Sequence, residues 1–163
     1  MTRGTLLVLH VLSAAVGFGA IFITGVYAGL ARRRADAAVR RYFRPGPNWA
    51  ARALYVVPVL GVALVTTSHG SDRFGQVWVW VSLVLWFAAT GLAHGVVWPA
   101  EGRIQRLLGE GGPGGRPGDE AGPGGGEAEL DGACRRVVRA AALIDAVFVA
   151  SVVLMVVRPG GGG

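Results

Sequence analysis

The chain has 163 residues, of which 52% are hydrophobic and only 16% are charged, and its mean hydropathy is +0.48. So few charges cannot cover the surface of a water-soluble domain of this size, which carries about 25% charged residues on average. All 16 basic residues are arginine, and with 10 acidic residues they give a net charge of +6. Because the arginines flank apolar runs, the composition indicates the lipid bilayer as a partner and excludes nucleic acid.

Four apolar runs predict an all-α fold, since each is long enough for the about 20 helical residues that cross a bilayer. In chain order, the predicted helices cover residues of about 5–30, 50–69, 76–98 and 137–157. A short turn joins the second helix to the third, which makes them antiparallel neighbours. The sequence therefore predicts a polytopic membrane protein, with one membrane domain over residues 1–163 folded as an antiparallel four-helix transmembrane bundle.

The loops between these helices differ in kind. Residues 31–48 mix arginines with apolar side chains, which predicts a short helix lying on the headgroups. Residues 109–133 are rich in glycine, proline and acids, which predicts a disordered cytoplasmic linker. The first and third loops hold thirteen arginines and the other side holds three, so both long loops are expected in the cytoplasm and both termini outside.

Helical periodicity predicts which faces of the helices turn inward. On helix one the predicted stripe is His10, Ser13, Gly17, Thr24 and Ala28, beside a second contact face with Gly25 and Gly29. On helix three it is Gln76, Leu83, Phe87, Thr90 and His94. On helix four it is Val138, Ala141, Asp145, Val149, Val152 and Val156.

A polar pair is predicted near the cytoplasmic side of the bundle. Asp145 lies about 8 Å inside helix four and His94 about 6 Å inside helix three, so the two share a depth. Thr90 can join them. Such a pair could fix the register of the bundle by a hydrogen bond, relay protons, orient a ligating imidazole or bind a cation.

His10 is predicted about 8 Å below the outer end of helix one, where it can meet His69 at the outer end of helix two. The depths of His10 and His94 differ by roughly 15 Å in a core about 30 Å thick. Two axial ligands of one haem iron lie about 4 Å apart. One haem held by both His10 and His94 is therefore excluded, whereas a site at His10, alone or with His69, remains open beside a structural role.

Enzyme signatures are absent from the sequence. It contains no lysine for a phosphate-binding loop and no zinc-protease or serine-hydrolase motif. Cys134 is the only cysteine, so no intrachain disulfide or thiolate metal cage can form, and we expect it to be a small interfacial residue. Trp86 falls in the middle of helix three, where a packing role is expected.

Three segments resemble a family of small bacterial integral-membrane proteins, domain of unknown function 2269. They are residues 6–13 (Leu-Leu-Val-Leu-His-Val-Leu-Ser), 91–99 (Gly-Leu-Ala-His-Gly-Val-Val-Trp-Pro) and 153–159 (Val-Leu-Met-Val-Val-Arg-Pro). The resemblance implies four helices and location in the bacterial inner membrane, but no biochemical function.

A looser likeness, carried by His10 and its neighbours, connects the chain to copper-resistance-D-type and protoporphyrinogen-oxidase-type membrane proteins, some of which bind haem b. Three functions are therefore expected in turn. The first is a non-enzymatic structural or accessory subunit, alone, as a homo-oligomer or with a membrane protein partner. The second is a haem-b redox protein using His10, and the third is a proton- or metal-handling subunit using His94 and Asp145.

Overall fold

The computed structural model describes residues 2–67, 76–110 and 125–157. Every secondary-structure element in these ranges is helical, which confirms the all-α prediction for the described part of the chain. The elements are α1 (Arg3–Ala31), α2 (Ala37–Tyr42), α3 (Trp49–Arg52), a 3₁₀ turn (Ala53–Tyr55), α4 (Val56–Thr66), α5 (Val77–Leu92), a π-helical segment (Ala93–Val97), α6 (Trp98–Glu110) and α7 (Gly125–Val157).

Four helical stretches are long and apolar enough to cross a membrane. They are Arg3–Ala31, Trp49–Thr66, Val77–Gly109 and Gly125–Val157, which match the four predicted runs in number and order. The predicted end of helix two and the outer turn after it fall on residues 68–75, outside the described residues.

The short helices begin at side-chain caps. The carboxylate of Asp36 accepts a hydrogen bond from the backbone N–H of Val39 (3.0 Å), and the amide oxygen of Asn48 accepts one from that of Ala51 (3.2 Å). These bonds satisfy N–H groups that the first turn of a helix leaves without a partner. Between the two helices, Gly46 has φ +142°, a conformation that glycine adopts readily between the prolines that flank it.

The helix that begins with α5 does not end at Pro99, as the sequence predicted, but continues through α6 to Glu110. Proline has no N–H and its ring clashes with the carbonyl four residues earlier in a regular α-helix. The π-helical segment lies just before Pro99, and in it the N–H of Trp98 donates to the carbonyl of Ala93, five residues earlier. This wider turn is one of the local adjustments that let a helix pass a proline.

The predicted linker 109–133 was wrong at both ends, because residues 109–110 belong to α6 and residues 125–133 to α7. Residues 111–124 lie outside the described residues. The prediction averaged the composition of the whole segment, although its glycines and prolines are concentrated before residue 127. The following Glu-Ala-Glu-Leu-Asp stretch consists mainly of good helix formers, and its acids favour a helix N-terminus.

The predicted headgroup helix also needs a correction. α2 exists, but its apolar side packs inside the protein, since Val39 is 1% exposed and Phe43 is 2% exposed. The guanidinium of Arg40 donates to the carbonyl of Leu108 near the end of α6 (2.7 Å). A cation at this place satisfies a carbonyl that the helix end leaves without a donor.

The predicted inward faces are confirmed for α1 but not for the other two helices. On α1, Gly17, Thr24 and Ala28 are buried, and His10 and Ser13 are half-buried. Phe87 and His94 of the predicted helix-three stripe are exposed, as are Val149, Val152 and Val156 of α7. Alanines occupy much of the buried face instead, because small side chains allow close approach of helices; the buried residues are Ala89, Ala93, Val97 and Ala100 before Ile104, and Ala133, Cys134, Val137, Ala140, Ala141 and Ile144 on α7.

The residues group into two compact units. The first comprises Met1–Ile21, Asn48–Gly91 and Leu143–Gly163, and its largest buried side chains are Phe18, Ile21, Leu54 and Ile144. The second comprises Phe22–Pro47 and Leu92–Ala142, with a core that includes Phe43, Val97, Ile104 and Val137.

Candidate functional site

His10 lies half-buried on α1, in the first unit, next to α4. Its Nδ1 atom is 2.9 Å from the carbonyl oxygen of Val57. A carbonyl oxygen can only accept, so Nδ1 carries the proton and donates it. In the neutral imidazole this leaves the lone pair on Nε2, the form in which histidine binds a metal ion.

Two glycines allow α1 to approach the second span closely. A Cβ atom at Gly61 would lie 3.3 Å from Cε1 of His10, so the absence of a side chain makes room for the imidazole. A Cβ atom at Gly17 would lie 2.8 Å from the backbone nitrogen of Leu54, closer than real Cβ contacts occur. The close packing around His10 therefore depends on glycine in both helices.

A third helix is attached to the same region by a hydrogen bond that the sequence analysis missed. The indole Nε1–H of Trp86 donates to the carbonyl of Leu54 (3.0 Å). In a regular helix that carbonyl would receive the N–H of residue 58, but Pro58 has none. The signal for this bond was in the sequence, as a proline four residues after Leu54 and a tryptophan in the middle of an apolar helix.

The predicted partner of His10 was His69, which lies outside the described residues, so a site shared by these two histidines stays a prediction. Phe18, one of the aromatic side chains of this unit, stacks on Phe148 with ring centroids 4.5 Å apart.

His94 lies in the π-helical segment and belongs to the second unit. Its side chain is exposed, and the ring packs edge-to-face on Trp98 with centroids 4.9 Å apart. Asp145 and Thr90 belong to the first unit. Asp145 is half-buried, and the Thr90 hydroxyl is buried with no hydrogen bond to any residue that the structure describes. The pairing of His94 with Asp145 and Thr90 stays a prediction.

The second unit contains a hydroxyl cluster that sequence reasoning did not identify. The hydroxyls of Thr24 on α1 and Tyr42 on α2 are 2.7 Å apart, and Thr24 is 1% exposed. The Tyr42 ring also stacks on Tyr27, with centroids 4.2 Å apart and planes 4° apart. This cluster holds α2 against α1. The acidic side chain of Glu101 on α6, in the same unit, is also buried.

Ion pairs connect the polar start of α7 to other elements of the second unit. Asp131 pairs with Arg32, which follows α1, at 2.7 Å, and also with Arg135 of its own helix. Arg103 on α6 pairs with Glu129 at 3.0 Å. The hydrogen bond from Arg32 holds the pKa of the Asp131 carboxyl below its ordinary value. The close pairing of Gly25 with Ala141 and of Gly29 with Val138 continues this contact between α1 and α7.

Among residues 2–67, 76–110 and 125–157, no three histidine, cysteine or acidic side chains converge on a point where a metal ion could bind. Cys134 is fully buried in the second unit, and burial raises the pKa of its thiol to about 11. Comparisons of the chain with family models, curated proteins and solved structures found no match.

Proposed function

We propose that the chain crosses the bacterial inner membrane four times as an antiparallel helix bundle and serves there as a small structural or accessory subunit. Both basic loops face the cytoplasm and both termini face outside, as the distribution of arginines indicates. The family domain of unknown function 2269, which the sequence resembles, belongs to the same proposal.

The exposed apolar surface of the four helices carries this proposal. Of each helix's most apolar window, between 11% and 22% is buried inside the protein. On α1 alone, Leu7, Val8, Val11 and Leu12 are each more than half exposed. Each large apolar side chain left in water forgoes about 1.5–3 kcal/mol of burial free energy, whereas hydrocarbon solvates it. A lipid environment therefore accounts for a surface that water would not tolerate.

The fate of the buried polar groups supports a structural role over an enzymatic one. His10, Trp86 and Thr24 each form a hydrogen bond to a different helical element. Such bonds, together with the glycine contacts, are what holds helices together in lipid, where hydrophobicity does not distinguish a neighbouring helix from an acyl chain.

Cysteine accessibility in whole cells tests the topology. In a Cys134→Ser background, Thr2→Cys should react with a membrane-impermeant maleimide in intact cells, and Ala35→Cys only after permeabilisation. The chain should also stay in the membrane pellet after carbonate extraction. Labelling of Ala35→Cys in intact cells would reverse the proposed orientation, and release by carbonate would overturn the membrane assignment.

A second candidate function, haem-b binding at His10, is favoured by one observation. The Nδ1–H···O=C bond to Val57 fixes the ring and leaves Nε2 available as an axial ligand. The residues present thus fit one axial ligand. Bound haem would supply one-electron chemistry, while this chain would orient the imidazole through Val57 and make room for it through Gly61.

The visible spectrum of detergent-purified protein from haem-supplied cells tests this second candidate. A Soret band is expected in the wild type and in His94→Ala, and its loss is expected in His10→Ala. A wild type without the band, or a band that survives His10→Ala, would eliminate haem binding at His10. Neither result affects the topology test.

A further inference from the structure

The arginines of the second unit fall into two groups. Arg32, Arg103 and Arg135 are engaged in ion pairs, and Arg40 binds the carbonyl of Leu108. Four others are fully exposed, and their guanidinium groups have no hydrogen bond or ion pair with any residue in the described ranges: Arg33, Arg34, Arg136 and Arg139. The second group has its full capacity for an external anion.

The free arginines lie at one level along α1 and α7. Val138 is the side chain nearest to Gly29, at 3.9 Å from a Cβ built there, and Arg32 pairs with Asp131. These two contacts align the end of α1 with the start of the apolar run of α7. Arg33 and Arg34 follow the first element directly, and Arg136 and Arg139 flank the beginning of the second.

An apolar ladder on α1 leads to this level. Ile23, Val26 and Leu30 are 46%, 45% and 46% exposed, and their spacing of three and four residues places them on one face of the helix. The same face ends at Arg33 and Arg34. An exposed apolar strip that ends in guanidinium groups matches a phospholipid, whose acyl chain is apolar and whose phosphate accepts two N–H donors from one arginine.

We propose that Arg33, Arg34, Arg136 and Arg139 bind the headgroups of anionic phospholipids, with an acyl chain lying along Ile23, Val26 and Leu30. This inference rests on the proposed membrane topology and adds a lipid selectivity to it. The engaged arginines hold the second unit together, and the free ones select its lipids. Each arginine near the surface favours an anionic lipid by about fivefold.

Spin-labelled lipids in proteoliposomes of the full chain measure this selectivity. The wild type should associate with phosphatidylglycerol several-fold more strongly than with phosphatidylcholine, and less so in 1 M salt, which screens charges beyond about 3 Å. The variant with Arg33→Gln, Arg34→Gln, Arg136→Gln and Arg139→Gln should lose most of this preference. The matched control, Arg103→Gln with Glu129→Gln, removes an engaged pair without changing net charge and should keep it.

Flotation of the same proteoliposomes separates the two proposals. A chain that does not float overturns the membrane topology and the lipid inference together, whereas a chain that floats but shows no lipid preference overturns the inference alone. A preference unchanged in the four-arginine variant also overturns it. If the preference arises only after Asp119→Asn and Glu120→Gln, the acidic segment of the chain occupies these arginines, and the inference is wrong.

Discussion

Pro58 and Trp86 compensate for each other across two helices. Pro58 cannot donate to the carbonyl of Leu54, and the indole of Trp86 donates to it at 3.0 Å. The proline of α4 thus creates the acceptor through which α5 is attached. Gly17 of α1 meets the backbone of the same residue, so three helices of the first unit converge at Leu54.

Replacing Trp86 by Phe should lower the free energy of unfolding by about 1–3 kcal/mol, because a buried carbonyl loses its donor. SDS titration in mixed micelles measures this change. Pro58→Ala restores a backbone N–H four residues after Leu54, so it should recover part of the loss in the Trp86→Phe background. Equal and additive effects of the two substitutions would show that the carbonyl does not couple them.

Replacing Gly17 by Ala should destabilise the chain by about 1–3 kcal/mol, the usual cost of overpacking, since the new Cβ would press on rigid backbone at 2.8 Å. Gly19 is the matched control. It lies on the same helix, and a Cβ there would meet nothing within 4 Å. Gly19→Ala should therefore be neutral or slightly stabilising in the same titration, as expected for Gly→Ala in a helix. A Gly17→Ala variant as stable as Gly19→Ala would contradict the close approach of α1 to Leu54.

The ion pairs of Asp131 should make stability depend on pH. Its folded-state pKa is lowered by Arg32, so the contribution is fully present above the ordinary carboxyl pKa of about 3.9 and is lost as pH falls through the lower, folded value. The wild type should melt at a higher temperature than Asp131→Asn at pH 6, and this difference should shrink below about pH 4.

The control for Asp131 is Glu127→Gln, which changes an exposed acid of the same helix that forms no ion pair with a described residue. It should leave the melting temperature at pH 6 unchanged. If the difference between the wild type and Asp131→Asn persisted undiminished at low pH, the carboxylate would not be the source of the stabilisation.

Cys134 should resist alkylation in the folded protein. Burial blocks access, and with a pKa of about 11 the thiolate is roughly a thousandth of the thiol at pH 8. N-ethylmaleimide should therefore modify Cys134 only after denaturation in SDS. A Cys134→Ser, Ala128→Cys variant places the thiol at an exposed position of the same helix and should react at once. Rapid modification of native Cys134 would show that α7 does not pack as described.

The sequence predicted helix number and order well, because span length depends only on the run of apolar residues. It predicted the rotation of α1 correctly, since polar and small residues mark one side, from His10 to Ala28. On the predicted helix three it failed at Phe87 and His94, both of which are exposed. In lipid the outer face is as apolar as the inner one, so periodicity there says little about which side packs.

The contacts around His10 were only partly predictable. Its location on the packed side of α1 followed from spacing, but its acceptor, the Val57 carbonyl, did not, because any nearby backbone oxygen could have served. The ion pairs of Glu129 and Asp131 were hidden for another reason. Composition averaged over residues 109–133 concealed a helical stretch whose acids find arginines far away in the chain.

The π-helical segment contains one residue more than the same length of α-helix would hold. Excising a single residue from Ala93–Val97 would restore the ordinary winding and turn everything that follows by about 100° about the helix axis. Ile104 and Leu108, now in the core, would swing to the outside. Any descendant of this gene that lost a codon here would have to rewrite the apolar pattern of its whole basic extension.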